Sequence, residues 1–169
     1  MRAVMLGMAA ILLIGAAPQG YDVNSAAGKA VNAPLQRAYG EYQRANGPRE
    51  DDWDRPVFSV ETRRLIRAWR KHIGGELTGL SSFGWFCDCQ DLVAERFRWE
   101  RAGLIELAPG RLEVQVKVDV GFGDFAEHRL ILLREGRRWV IDDLFLPEQP
   151  DGLKAALRKE LAQPPGNQE

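Results

Sequence analysis

Strict alternation of apolar and polar side chains marks the clearest element of this chain. Leu112, Val114, Val116, Val118 and Val120 alternate with Glu113, Gln115, Lys117 and Asp119, the period of a half-buried β-strand. Gly121 to Gly123 then turns the chain into a strand over Phe125 to Arg134. Glu135-Gly136 turns that into another over Arg138 to Leu146. Three strands joined by short turns predict an antiparallel meander. Upstream, Leu92 to Trp99 and Ala102 to Ala108 read either as one bent strand or as a short helix and a strand, closed by the Pro109-Gly110 turn.

A different period governs the first half of the chain. Leu35, Ala38, Tyr39 and Tyr42 fall at i, i+3, i+4 and i+7, one stripe of a helix that starts near Asn32 and Pro34 and ends by Gly47-Pro48. A second helix follows Pro56 to Phe58, with Ser59 as N-cap and Glu61 in its first turn. Leu65, Ile66, Trp69 and Ile73 form its apolar face; Arg63, Arg64, Arg67, Arg70 and Lys71 form a basic one. Gly74-Gly75 stops it. Leu153, Ala156, Leu157 and Leu161 line a short C-terminal helix capped by Asp151. Helices followed by a curled antiparallel sheet predict an α+β domain over 34–162, with a concave pocket on the helix side of the sheet. Residues 163–169 read as a frayed tail.

The N-terminus departs from this pattern. Arg2 precedes an uncharged, largely apolar run from Ala3 to Ala17, about the length of a signal-peptide core and shorter than the roughly 20 residues of a membrane helix. The run predicts a signal peptide over 1–20, cut somewhere between Ala17 and Ala27, then a flexible leader over 21–33. An uncleaved anchor is the competing reading. The expected product is exported, periplasmic or secreted, with no stable membrane insertion after cleavage. The 169 residues carry a net charge of −1 and 28% charged side chains, ordinary globular composition without the basic surface that nucleic acid demands.

Three stretches carry a family resemblance: Phe83 to Asp91; Leu112 to Val118 with Gly121 to Phe125; and Gly136 to Leu144 followed by Leu153 to Leu157. In this order they resemble the bacterial family catalogued as domain of unknown function 3828, grouped with the nuclear-transport-factor-2-like cone folds. The family's Tyr-containing first helix, Gln-Asp pair and Trp-x-Ile-Asp-Asp strand match Tyr39 and Tyr42, Gln90 and Asp91, and Trp139, Ile141, Asp142 and Asp143. The resemblance implies an exported cone-fold protein and no particular reaction, since that fold hosts enzymes and non-enzymes alike.

Few residues offer chemistry. Cys87 and Cys89, as Cys-Asp-Cys, suggest a tight disulfide in an oxidising compartment. Free thiols, a redox pair, and a metal site completed by His72 and His128 compete with it, and no metal or cofactor is assigned. Asp91 and Asp143 are the candidate acid/base carboxylates. On a regular strand Asp143 would share the apolar face of Trp139 and Ile141, making it the buried one of the Asp142-Asp143 pair. It would then bond backbone N–H groups near Gln90-Asp91, or act as a general base. Tyr39, Tyr42, Trp85, Gln90 and Asp91 are the candidate ligand-binding residues. Trp53, Trp85 and Phe86 would line a ligand surface or plug the cone's mouth. The basic helix face reads as a solvated surface neutralised by the acidic loop Glu50 to Asp54, with binding of an anionic partner, a lipid surface or an acidic protein, as the competing reading. The first functional expectation is a non-catalytic binding or accessory module for an unknown small ligand or envelope protein. The alternative is a cone-fold enzyme using an aspartate in acid/base work.

Overall fold

The computed structural model describes residues 26–164 apart from Asn46 and Glu50. The candidate signal, the start of the leader over 21–25 and the tail over 165–169 lie outside the described residues. The fold is α+β. Helices α1 (Ala26–Ala30), α2 (Asn32–Tyr39) and α3 (Val60–Ile73) precede strands β1 (Arg98–Ala108), β2 (Arg111–Asp119), β3 (Ala126–Glu135) and β4 (Arg138–Phe145); helix α4 (Leu153–Leu161) closes the order. The strands form one antiparallel meander in the order β1-β2-β3-β4. Among the described residues, no helix is long and apolar enough to cross a membrane.

The meander has four strands rather than three, because Arg98 to Ala108 forms one strand after a short 3-10 turn at Ala94–Arg96. Its alternation is masked in the sequence by irregularities between Arg101 and Gly103 and between Glu106 and Ala108, which break the period of two. Strand β2 follows the pattern: Leu112, Val114, Val116 and Val118 are all at most 1% exposed. Burying each such side chain contributes roughly 1.5–3 kcal/mol. Upstream, the chain is helical from Ala26, and Val31 is fully buried. Part of the expected flexible leader therefore belongs to the folded unit.

The helix reading of the first half holds for α3, while α2 ends at Tyr39 and continues as a 3-10 turn over Gly40–Gln43 that carries Tyr42. Ser59 caps α3 by accepting from the Thr62 N–H at 3.2 Å, and Gly74 ends it in the left-handed region at φ 60°. The segment before α3 pairs parallel to β4: Ser59 N–H donates to the Ile141 carbonyl and Ile141 N–H to that of Val57, both at 2.8 Å. This pins α3 across the sheet. Leu35, Tyr39, Phe58, Trp69, Trp85 and Phe86 are all at most 1% exposed and belong to one core cluster with the sheet's inner side chains. The concave face is thus filled, not hollow. Trp85 and Phe86 are core residues, and Trp53 packs between Trp69 and Trp85 with ring centroids 4.7 and 5.7 Å away.

Asp151 does not cap α4. The residue at the cap is Gly152 at φ 89°, where a Cβ would come within 2.7 Å of the Phe145 ring and 3.0 Å of Asp143 Oδ1. That close approach lets Asp143 serve the helix instead, accepting from the Lys154 N–H at 3.0 Å.

Candidate functional site

The Asp-Asp pair sits on an irregularity. Ile131 pairs with Asp143 but Leu132 pairs with Ile141, so Asp142 is an extra residue in β4. The strict alternation that placed Asp143 inside fails there. Asp142 is the buried residue, 4% exposed, and Asp143 is only half-buried. Asp142 Oδ1 accepts from Ser59 Oγ at 2.8 Å, and Lys154 Nζ reaches both of its oxygens at 3.1 and 3.2 Å. Lys154 also reaches Glu61 at 2.8 Å. This network ties α3, β4 and α4 together with its polar groups satisfied, which is the work of structure. Asp143 Oδ1 accepts from the N–H groups of Leu144 and Lys154, both at 3.0 Å. It bonds backbone amides as the bland reading expected, but at the start of α4 rather than near Gln90-Asp91. Burial raises its carboxyl above the ordinary range.

A second buried polar cluster stands where the sequence suggested an acidic loop neutralising the basic helix face. Asp52, in a 3-10 turn over Asp52–Asp54, is 6% exposed. The Tyr42 hydroxyl donates to its two oxygens at 2.7 and 2.6 Å, and the Phe86 N–H donates to Oδ2 at 3.1 Å. Arg55, 2% exposed, places Nη2 2.7 Å from Asp52 Oδ1, a close charge contact without the alignment of a hydrogen bond. Arg55 also donates to the Ala38 carbonyl and lies over the Tyr42 and Phe86 rings. Burial raises the Asp52 carboxyl, and burial together with Asp52 raises the Tyr42 phenol. Of the acidic loop, Asp54 does face solvent, bonding Arg70 of the basic helix face at 2.5 and 3.0 Å.

Tyr39 and His128 make a third pair, sharing a hydrogen bond of 3.2 Å between the hydroxyl and Nδ1. His128 is 1% exposed rather than at the surface, and its Nε2 has no hydrogen-bond partner. Burial lowers its pKa to about 4. The unfolded chain takes up that proton near pH 6.5. The stability difference is therefore absent above about pH 6.5 and grows as a loss down to about pH 4. Its full size is on the order of 3 kcal/mol. His128→Gln is expected to flatten the fall in melting temperature between pH 6.5 and 4.5; an unchanged slope would exclude His128 as its source.

One cleft, of about 290 Å³, opens beside the Asp52 cluster and is bordered by Tyr42, Asp52, Phe83, Cys87, Cys89 and Gln90 among others. It brings together Tyr42, Gln90 and both cysteines from the sequence reading. It leaves out Tyr39 and Trp85, which are fully buried, and Asp91, which is exposed. Cys87 and Cys89 form a disulfide, their Cα atoms 5.1 Å apart, on a small hairpin where Gly84 and Cys89 exchange backbone hydrogen bonds of 2.8 and 3.3 Å. Gly84 is required there: a Cβ would stand 2.7 Å from Cys87 Sγ and 2.9 Å from the Tyr42 hydroxyl. The bridge spans a single intervening residue, so loop-closure entropy credits it with only about 1.5 kcal/mol. Among the described residues, no three His, Cys, Asp or Glu side chains converge as a metal site.

A wider hollow of about 450 Å³ lies at the β2–β3 turn, lined by Arg96, Arg98 and Phe122. Arg98 there is held by Asp119 at 2.6 Å, and Asp119 Oδ1 accepts from Gly121 and Gly123 at 2.8 and 3.0 Å. Arg98 and these amides hold the Asp119 carboxyl down at about 2. The sequence offered no sign of the Asp52 cluster beyond an Asp-Trp-Asp-Arg run between helices, where the tryptophan was the one signal that the loop turns inward. Comparison with protein-family models, with curated proteins and with solved structures finds no match to this chain.

Proposed function

We propose that this chain is an exported, periplasmic or secreted, non-catalytic binding module of the cone-fold group, which holds a small organic ligand or a segment of an envelope protein in the cleft beside the Cys87–Cys89 hairpin. The observation that carries this reading is the division of space. The concave face of the sheet is filled by core side chains, while the cleft stays open between polar and aromatic groups. Its rim carries the exposed Gln90 amide and Asp51 carboxylate, and its wall the Phe83 ring. Apolar walls with a few polar groups are how small-molecule sites orient what they bind. A ligand with an apolar body and hydrogen-bond donors fits that lining. Acid/base chemistry at Asp91 or Asp143 finds less support. The Asp143 carboxylate is taken up by two backbone amides, and Asp91 is exposed. The four-stranded antiparallel sheet with helices on its inner side supports the cone-fold reading.

A fragment screen followed by amide NMR on the purified protein tests the site. Hits are expected to shift the amides of Gly84, Gln90 and Leu92. Leu92→Trp, which fills the cleft from its edge, is expected to abolish those shifts with the melting temperature retained. Hits that perturb only the β2–β3 turn would overturn the assignment.

A further inference from the structure

We infer that the Cys87–Cys89 disulfide is a thiol-exchange site, at which Cys89 is the sulfur attacked by an incoming thiolate and Cys87 the sulfur that departs. The inference does not depend on the cleft having a ligand. It begins from what the bridge does not do. A ring closed over one residue constrains the unfolded chain little. The segment it crosses is already closed by the Gly84–Cys89 backbone pairing. The fold therefore needs this bond less than it would need one joining distant elements. Closing the ring also holds Asp88 at φ 52°, a conformation that side-chain-bearing residues rarely adopt and the one such non-glycine position among the described residues.

The surroundings suit exchange. Both cysteines border the open cleft, which gives a thiol access. Cys89 is half-buried and Cys87 is 2% exposed, so the outer sulfur is the one a thiolate meets. The inner sulfur lies beside Tyr42 and Asp52: Cys87 Sγ, the Tyr42 hydroxyl and Asp52 Oδ2 surround one point, 2.7, 2.9 and 3.6 Å from where a Cβ on Gly84 would stand. A departing thiolate there needs a proton, because a buried anion next to a carboxylate is disfavoured. Solvent in the open cleft supplies one, replacing the proton that the external thiol released when it ionised.

The step balances as follows. An external thiolate attacks Cys89 Sγ, a bond forms between the two sulfurs, and the Cys87–Cys89 bond breaks with its electron pair leaving on Cys87, which takes up a proton. A second external thiolate then attacks the external sulfur of the mixed disulfide and releases Cys89 as a thiol. Two external thiols, or one dithiol, are oxidised by two electrons and the chain's disulfide is reduced by two. The Gly84–Cys89 backbone bonds do not involve the sulfurs, so both cysteines stay close enough to be reoxidised.

The test uses the purified full chain in glutathione buffers of increasing reducing strength, quenched with acid and alkylated for intact-mass and peptide analysis. The dithiol form and a mixed disulfide mapping to Cys89 are expected while the circular dichroism spectrum stays native. In the single variants, the Cys89 thiol of Cys87→Ser is expected to alkylate about ten-fold faster than the Cys87 thiol of Cys89→Ser, following exposure. A bridge that survives a large excess of reduced glutathione would overturn the inference. So would reduction that occurs only together with unfolding, or an adduct that maps to Cys87.

Discussion

Asp142→Ala is expected to cost about 3 kcal/mol of unfolding free energy, while Asp143→Ala, one residue on, costs about 1 kcal/mol. Removing the Asp142 carboxylate leaves Lys154, whose side chain is 10% exposed, without its buried counter-charge and leaves the Ser59 hydroxyl only Thr62 Oγ1, at 3.0 Å, in place of the carboxylate. Breaking a buried pair from one side costs about 3–5 kcal/mol. The lower end applies because Glu61, 47% exposed, remains within 2.8 Å of Lys154. Asp143 resembles a helix cap instead, serving two backbone amides from a half-buried position, and cap deletions cost about 0.5–2 kcal/mol. Urea titration of both variants reads the difference. The paired replacement Asp142→Leu with Lys154→Met removes both charges and should lose less than Asp142→Ala alone. Equal losses for the two single variants would mean that the irregularity in β4 does not set which aspartate is inside.

Asp52→Ala is expected to be costlier still, about 4 kcal/mol. The Arg55 guanidinium, 2% exposed, would keep the Ala38 carbonyl and two aromatic faces but lose the Asp52 carboxylate 2.7 Å away, and Tyr42 and the Phe86 N–H would lose their acceptor. Among the described residues Arg55 makes no second ion pair, in contrast to Lys154, which keeps Glu61. Tyr42→Phe removes only the hydroxyl's bonds to the carboxylate and should cost about 2 kcal/mol. Thermal and denaturant unfolding of the two variants gives the order. A near-neutral Asp52→Ala would show that water reaches Arg55 through the cleft, and the cluster would then not hold the cleft's floor.

Periodicity made the helices and most of the sheet legible. The stripe Leu35, Ala38, Tyr39, Tyr42 and the alternation over Leu112 to Val118 each repeat at one period for several residues, and local geometry alone then dictates which face is buried. Ser59 and Gly74 were equally readable, because a cap and a left-handed stop are local events. The pairing of Cys87 with Cys89 was one of several open readings, and their nearness made it a reasonable one. What remained hidden depended on registers and approaches between distant segments. The extra residue in β4 is set by how β4 pairs with β3, and it reversed the burial of Asp142 and Asp143. The filling of the concave face depended on the loop aromatics Trp85 and Phe86 folding inward, which no period announces. Asp52 entered the interior because Arg55, Tyr42 and the Phe86 amide meet there, and a charge can be buried only where such partners converge. The sequence by itself therefore determined the elements and their faces. Only the tertiary structure decided which polar groups lie inside, because each of them is held by partners from another part of the chain.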